Sequence, residues 1–462
     1  MKHTVVIKRC EEYDRNVIEK IITDGMTRLN YRPRGNVFVK PNVVFANNPD
    51  VFGQHAYTPT PLVGASLTAL SKGEGVKRID VGENSAIGIP TRLNYKFAGY
   101  YDEIKKVRLK AACPVNIFCI DEELRDSVFI GGMVHDNLRI PRKMARADSK
   151  VYLPKLKCHC VSNMTGAVKL NIGICSDDER AIRHDFMLNE KIVDLLAAGY
   201  PDFIVMDAVE VGIGNEAVPT ARKLGLIIMG TNPVAVDLVG ARLLGLGIDD
   251  VPYLKTAVSR GYTPAKLEDV KIDGDLSSID DLDKYAKRIM PYDDEYHRWQ
   301  DVNKELTRLN SPMRFLWGPY KSGNGSKCLT GCVMGIKMFL GSLEWFAGSE
   351  AFANAKPVVF IIGRIDEQVD ARGEEVFLIG SCAEADIIHA KKITHLDKCF
   401  TTASDMNIYI GHKLGMPAIS RDFNSMLPLL AGAAKASIMK LVNLRYFQDM
   451  GHFITKRLDR RL

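Results

Sequence analysis

TPTPLVGASLTALSKGEGVKRIDVGENS, residues 58–85, decides the fold class. Pro59 and Pro61 prime a helix start, because proline pre-sets φ and needs no N–H in a first turn. Apolar residues then recur at helical spacing until Gly73 and Gly75 stop the run. VKRIDV follows at once as a strand. Upstream, NVFVKPNVV (36–44) is a β-branched apolar run halted at Lys40-Pro41-Asn42, which reads as a buried strand ending in a turn. Strand, helix and strand in that order imply parallel pairing and an α/β domain.

The same reading extends outward. KVYLPKLK (150–157) and DFIVMDAVE (202–210) are further strands, and LGLIIMGTNPVAVDLVGARLLG (224–245) is a strand, a turn at Asn232-Pro233 and a helix. Residues 266–311 turn polar and acid-rich, with helix over part of 279–309. Beyond them, KPVVFIIG and EVFLIGSCA are strands again. The expected architecture is a mainly parallel sheet with flanking helices over residues 1–275. A helical linker over 276–311 and a second, smaller α/β domain over 312–462 follow.

Composition narrows the function classes. A chain of 462 residues calls for at least two domains. A net charge of +6 on such a chain admits acidic ligands but supplies no basic stripe for nucleic acid. The first residues lack the apolar run of a signal peptide, and no stretch reaches the roughly 18 apolar residues of a membrane span. Ten cysteines scattered through a charged chain fit a reducing, cytoplasmic setting, where they are buried, metal-bound or reactive.

Ligands of open α/β sheets sit beyond the carboxyl ends of strands, and polar groups recur there. Lys40 and Asn42 follow one strand, and Glu83 and Asn84 another. Lys155, Lys157 and His159 come at a third, Asp207 and Glu210 at a fourth, and Asn232 and Asp237 at a fifth. Lysines supply charge for phosphate or carboxylate, asparagine both donates and accepts, and the carboxylates suit a hard cation. A lone lysine at a strand end is usually just solvated, and Asp237 could simply serve the helix dipole. It is the recurrence that favours a shared crevice.

The ordered set VFVKPNVV, LPKLKCHCVSNMTGAVKLNIGI, RAIRHD, IVMDAVEVGIGNEAVP and GLIIMGTNPVAVD, spanning roughly residues 35–245, resembles the domain-of-unknown-function 362 family. Cys158 stands where the family has threonine, Asn171 lies one place late, and Asn215–Pro219 replaces a glycine-proline ending. The resemblance implies a ligand site at Lys40, Lys157, His159, Lys169 and Asp207, with Asn171 and His184 in the matching segments. It also implies an iron–sulfur module beside the domain, as members often have.

Cys158-His159-Cys160 looks like a metal group, but alternate strand residues face opposite ways, so the two cysteines would share a face that His159 does not. Expected on one side are Lys155, Lys157 and His159, the histidine kept neutral by neighbouring charge and available for proton transfer. Cys10, Cys113, Cys119 and Cys175 sit in apolar settings and read as structural. Cys328 and Cys332, four apart in a glycine-rich turn, join Cys382 after a strand and Cys399 in HLDKCF. Four loop cysteines suit an iron–sulfur cluster, the four-iron four-sulfur type foremost, with zinc the competing metal. His389 and His395 are substitutes for Cys399. CVMGIKMFLGSLEWF (332–346) reads as a core helix. SIMKLVNLRYFQDMGHFITKRLDRRL (437–462) reads as an amphipathic helix packed on the domain, a membrane-surface role being the alternative.

The resulting expectation is an iron–sulfur redox enzyme acting on a small anionic substrate, with His159 and Lys157 catalytic. Lys40, Asn42, Lys155, Lys169, Asn171, His184, Asp207 and Asp237 would bind the ligand. The alternatives are a non-redox acid–base or metal-dependent enzyme and a non-catalytic iron–sulfur carrier or assembly protein. An electron-transfer protein is the expected partner and a homodimer is left open, without nucleic acid. VEVGIGNEA lacks the third glycine of a dinucleotide fingerprint, so no nicotinamide cofactor is expected.

Overall fold

The computed structural model describes residues 3–46, 56–184, 186–290, 298–320 and 325–458. The strands of the first part are β1 (His3–Arg9), β2 (Gly35–Pro41), β3 (Val76–Glu83), β4 (Val115–Cys119), β5 (Arg125–Phe129) and β6 (Asn137–Pro141). They continue with β7 (Ser149–Leu153), β8 (Lys155–His159), β9 (Asn163–Thr165), β10 (Phe203–Ile213), β11 (Thr220–Gly230) and β12 (Val270–Gly274). Ten of them form one sheet in the order β12-β1-β11-β10-β7-β2-β3-β4, with β8 and β9 branching from β10. Only β11 runs antiparallel to both its neighbours; β9 is antiparallel to β8, and the other pairings are parallel. β5 and β6 make a separate hairpin.

The strand period of two sorts each strand between two cores. Val37, Val39, Val151, Leu153, Phe203 and Val205 face helices α1 (Arg15–Arg28) and α2 (Thr60–Ser71). Phe38, Tyr152, Ile204 and Met206 face α3 (Pro233–Leu243), where Asn232 caps the start by accepting the Ala235 N–H at 2.9 Å. KVYLPKLK is two strands, because Pro154 cannot continue the ladder. β7 stays in the sheet path, and β8 is displaced along β10. In the polar stretch after residue 266, β12 pairs with β1, and two short helices, Ile279–Ala286 and Val302–Arg308, follow.

The later strands are β13 (Arg314–Trp317), β14 (Val358–Ile362), β15 (Arg364–Asp370), β16 (Glu375–Ile379), β17 (Glu384–Ile388) and β18 (Lys392–Leu396). From β14 onward they alternate between two parallel ladders, β13-β14-β16-β18 and β15-β17. Val359, Ile361 and Val376 fill the space between the ladders. Phe360, Ile362, Phe377 and Ile379 face the other way, toward α4 (Cys332–Ala347).

The carboxyl-terminal segment corrects the sequence reading. Instead of one helix over 437–462 there are two, α5 (Phe423–Val442) and α6 (Arg445–Leu458), joined through Leu444 at φ +60°. Lys435 and Lys440 interrupt the apolar run by eye, yet α5 is a 20-residue helix of mean hydropathy 1.3. By length and composition it could cross a membrane, and Ala436 is its one buried residue.

Candidate functional site

The site grows from β8. All five of its residues are buried. Lys155, Lys157 and His159 project to one side, and Leu156 and Cys158 enter the apolar core. The strand ends at His159, so Cys160 escapes the alternation and does not share the face of Cys158. Its N–H donates to Glu216 Oε2 at 3.1 Å, and its Sγ lies 3.3 Å from Oε1. Lys157 donates to the carbonyls of Ala56 (2.6 Å) and Glu216 (2.7 Å). Lys155 is taken up by Asp207 at 2.6 Å and by the Tyr13 hydroxyl at 3.2 Å. Lys40 pairs with Glu83, which also accepts the N–H groups of Val43 and Asn84.

A cavity of about 270 Å³ opens beside this strand. Its polar wall is Asn42, Glu83, Asn84, Lys157, His159, Thr165, Lys169, Arg180, His184 and Glu216, and its remaining lining is largely apolar, with Val44, Ile87, Met334, Met338 and Phe400 among it. Five of the expected residues therefore meet there: Asn42, Lys157, His159, Lys169 and His184. Lys40, Lys155, Asn171, Asp207 and Asp237 do not line it. Asp207 and Glu210 lie within β10 rather than past its end, and Asp207 is neutralised by Lys155. Asn171 Oδ1 accepts the Tyr152 hydroxyl at 2.5 Å. Asp237 holds the N–H groups of Ala167 (2.6 Å) and Val168 (3.1 Å), and so fixes the loop that delivers Lys169. Gly166 is required there, since a Cβ would fall 2.3 Å from Asp237 Oδ1.

Arg180, Glu216 and Thr165 belong to the cavity but escaped the sequence reading. Arg180 and Glu216 lie in the segments RAIRHD and NEAVP. Neither spacing nor strand ends point to them, because Arg180 comes in on a short helix, Asp177–Ala181, and Glu216 on a loop.

Burial dominates the electrostatics. It pushes Lys157 down to about 7 and Lys169 down to about 8. Burial is also the first reason His159 falls to about 3, with Lys169, Lys157 and Lys337 adding to it against Glu216. Neighbouring charge is thus the lesser cause, contrary to expectation. His159 Nδ1 accepts the N–H groups of Val161 (3.1 Å) and Ser162 (3.4 Å). The ring proton therefore sits on Nε2, 3.5 Å from Glu216 Oε1. Burial would raise the Glu216 carboxyl, but His159 and the Cys160 hydrogen bonds outweigh it and hold it ionised. His159, Cys160 and Glu216 bring one nitrogen, one sulfur and one oxygen within 4.8 Å of one another, a set that could hold a single ion. Asp207, Glu210 and Asp237 form no such group among the described residues.

Four buried polar atoms on this wall have no hydrogen-bond partner among the described residues: Asn42 Oδ1, Thr165 Oγ1, Arg180 Nε and His184 Nδ1. Buried polar groups are nearly always paired, so four in one cavity make it the candidate ligand site. His184, held well below its ordinary range by burial, stacks on Phe400 at 4.9 Å. That ring pair lines the cavity on one side and, on the other, a recess formed with Cys399, Asp178 and Arg183.

None of the ten cysteines is joined in a disulfide among the described residues. Cys332 begins α4, and its Sγ accepts the Thr401 N–H at 3.2 Å. A Cβ on Gly380 would lie 2.8 Å from Cys332 Sγ and 4.0 Å from Cys382 Sγ, so the two sulfurs flank that glycine closely. Cys328 Sγ lies 3.8 Å from the corresponding point on Gly331. Burial raises the Cys332 thiol to about 12, and Cys382 and Cys399 add to the rise. His395 donates to the Gly380 carbonyl at 3.0 Å, and His389 is engaged by Asp370 at 3.1 Å.

Residues 37–242 match the model of a family described as domain of unknown function (DUF362). Among characterised sequences, the chain is 25% identical over 244 residues to the Thylakoid-associated protein sll1697 of Synechocystis sp., covering 51% of this chain and 71% of that protein. Among solved structures, it is similar to the lactate racemase apoprotein of Thermoanaerobacterium thermosaccharolyticum. The identity is 12% and the TM-score 0.28, over 49% of this chain and 54% of the other. A structural-genomics protein from Thermotoga maritima matches at 11% and 0.28, over 57% and 61%. The chain thus spans less than two thirds of either solved structure.

Proposed function

Residues 37–242 being a domain of the DUF362 family, we propose that the chain is an iron–sulfur redox enzyme that holds a small anionic substrate in the Lys157–Lys169–Arg180 cavity. The observation that carries this reading is the polar wall of four unpartnered buried atoms, separated by the His184–Phe400 stack from the recess at Cys399. Cys328, Cys332, Cys382 and Cys399 are the residues to hold the cluster. The Thr401 N–H on Cys332 Sγ is the kind of hydrogen bond that tunes such a sulfur. When bound, the cluster supplies one-electron chemistry.

The chain's own groups do the rest. Lys169 lines the cavity and meets the anion as a point charge, while Arg180 offers its unpaired Nε–H. His159 presents Nε2–H to the cavity and is a proton donor in this tautomer. Glu216, ionised beside it, takes a proton directly. Sequence reasoning cast His159 as the base; the hydrogen bonds on Nδ1 support Glu216 in that part instead. A second reading, acid–base chemistry without a redox centre, is favoured by this His159–Glu216 pair, which is complete without any cluster.

Calorimetric titration with inorganic phosphate and short carboxylates tests the anion site. The account expects one binding site in the wild type that Lys169→Ala weakens severalfold. Equal binding by Lys169→Ala, or none by the wild type, contradicts it.

A further inference from the structure

The helix pair α5–α6 carries an apolar face that nothing among the described residues covers. Phe423, Leu427, Leu430, Ala434, Ile438 and Leu441 recur every three or four residues along α5, with Val442 beside them, so they form one stripe down the helix. Phe423 is 74% exposed and Leu430 and Ile438 are each 61% exposed. The stripe is about 30 Å long, far beyond the scattered apolar residues of an ordinary surface. Tyr446, Phe447 and Met450 extend the exposed apolar surface onto α6.

From these observations we infer that α5–α6 lies flat on an anionic lipid bilayer, with the stripe in the headgroup–acyl boundary. Three features select that occupant. Lys435 and Lys440 fall on opposite flanks of the stripe; the exposed Lys435 has a stem that reaches up to lipid phosphates, while Lys440 lies near Asp121 and Glu122 of the body. From Phe423 onward the sequence holds seven Lys or Arg against two Asp, an excess that anionic headgroups complement. A second copy of the chain docked stripe to stripe would instead set these lysines against each other, and α5 carries no acid to meet them.

The helix lies along the body rather than through a bilayer. Its opposite face is committed: Gly432 packs on Leu93 and Pro90, and Met426 and Leu429 line the cavity. The pair is tied down by Asn443, which donates to the Glu122 carbonyl at 3.1 Å. Gln448 bridges the N–H (2.9 Å) and carbonyl (2.6 Å) of Arg125. One helix thus borders the membrane on its outer face and the cavity on its inner face. The docking inference stands whatever the cavity binds.

Flotation of the full chain with vesicles tests it. The wild type is expected to float with phosphatidylcholine–phosphatidylglycerol vesicles and less with phosphatidylcholine alone. Leu427→Glu/Leu430→Glu/Ile438→Glu, at exposed positions, should keep its circular dichroism and melting temperature and partition at least about tenfold less. Lys435→Glu/Lys440→Glu should lose the preference for phosphatidylglycerol. The inference is overturned if the wild type fails to float with the anionic vesicles, or if the triple variant floats as well as the wild type. It is also overturned if the stripe proves to join two chains, seen as a wild-type dimer that the triple variant makes monomeric with no vesicle binding. Retention in the vesicles after an alkaline carbonate wash would mean a span and overturn it too.

Discussion

Replacing Asp207 by asparagine removes the counter-ion of a lysine that has nowhere else to go. Lys155 Nζ lies 2.6 Å from Asp207 Oδ2, and both side chains are almost wholly buried. At an effective dielectric near 20 the attraction across that distance is about 6 kcal/mol. Desolvation offsets part of it, and removing one partner of such a pair typically costs about 3–5 kcal/mol. Asparagine still accepts from the Tyr13 hydroxyl and the Val209 N–H, so the loss is chiefly that of charge. For a domain of this size the melting temperature should fall by roughly 10 °C. A buried ammonium without its partner favours the neutral amine. Its folded form therefore loses protons that the unfolded chain keeps, and stability rises with pH. The melting deficit of Asp207→Asn should accordingly shrink from pH 7 to pH 9. Anion binding in the cavity should be unchanged, since Asp207 does not line it. Scanning calorimetry of both proteins at the two pH values, with phosphate titrations alongside, is the assay. A variant that melts like the wild type but binds no anion would refute the structural assignment and return Asp207 to the ligand site.

Anion binding should be tightest below about pH 7 and weaken through pH 8, because Lys157 and Lys169 discharge at about 7 and about 8 and only their ammonium forms attract the ligand; a titration flat from pH 6 to 9 would contradict this. Asp237, raised by burial to about 7, favours the protonated folded state, so its contribution to stability is present in acid and is lost as pH rises through about 7. Asp237→Asn should flatten that part of the pH–stability curve, read from melting temperatures between pH 5 and 8. Glu216→Gln keeps the shape of the cavity and removes its negative charge. It should bind phosphate at least as tightly as the wild type while losing turnover once a substrate is known, and weaker binding would speak against Glu216 as the proton acceptor.

The sheet was readable because its signals are local. Val37–Val39 and Phe203–Met206 are apolar runs that a doubly covered sheet demands, and Pro59 and Gly73 punctuate the crossover helix between two of its strands. Lys157 and His159 were readable as co-facing groups for the same reason, the strand period of two. What failed was everything set by where a strand stops or what crosses from elsewhere. Cys160 leaves the face of Cys158 because β8 ends one residue earlier, which no spacing rule reports. Asp207 looked like a strand-end ligand, yet β10 runs on to Ile213 and Lys155 reaches across to it. Glu216 arrives on a loop and Arg180 on the short helix Asp177–Ala181, so their role lies in the tertiary fold alone. α5 was missed as a long apolar helix because two lysines and several small polar residues break its run in sequence, although on the helix they leave one face wholly apolar.

Iron and acid-labile sulfide analysis of anaerobically purified protein, with Cys332→Ser beside it, tests the redox account most directly. The account predicts about four iron and four sulfide per chain in the wild type. It also predicts visible absorption that bleaches on chemical reduction, and loss of iron, sulfide and absorption together in Cys332→Ser. Zinc without sulfide, or iron content unchanged by Cys332→Ser, would contradict it.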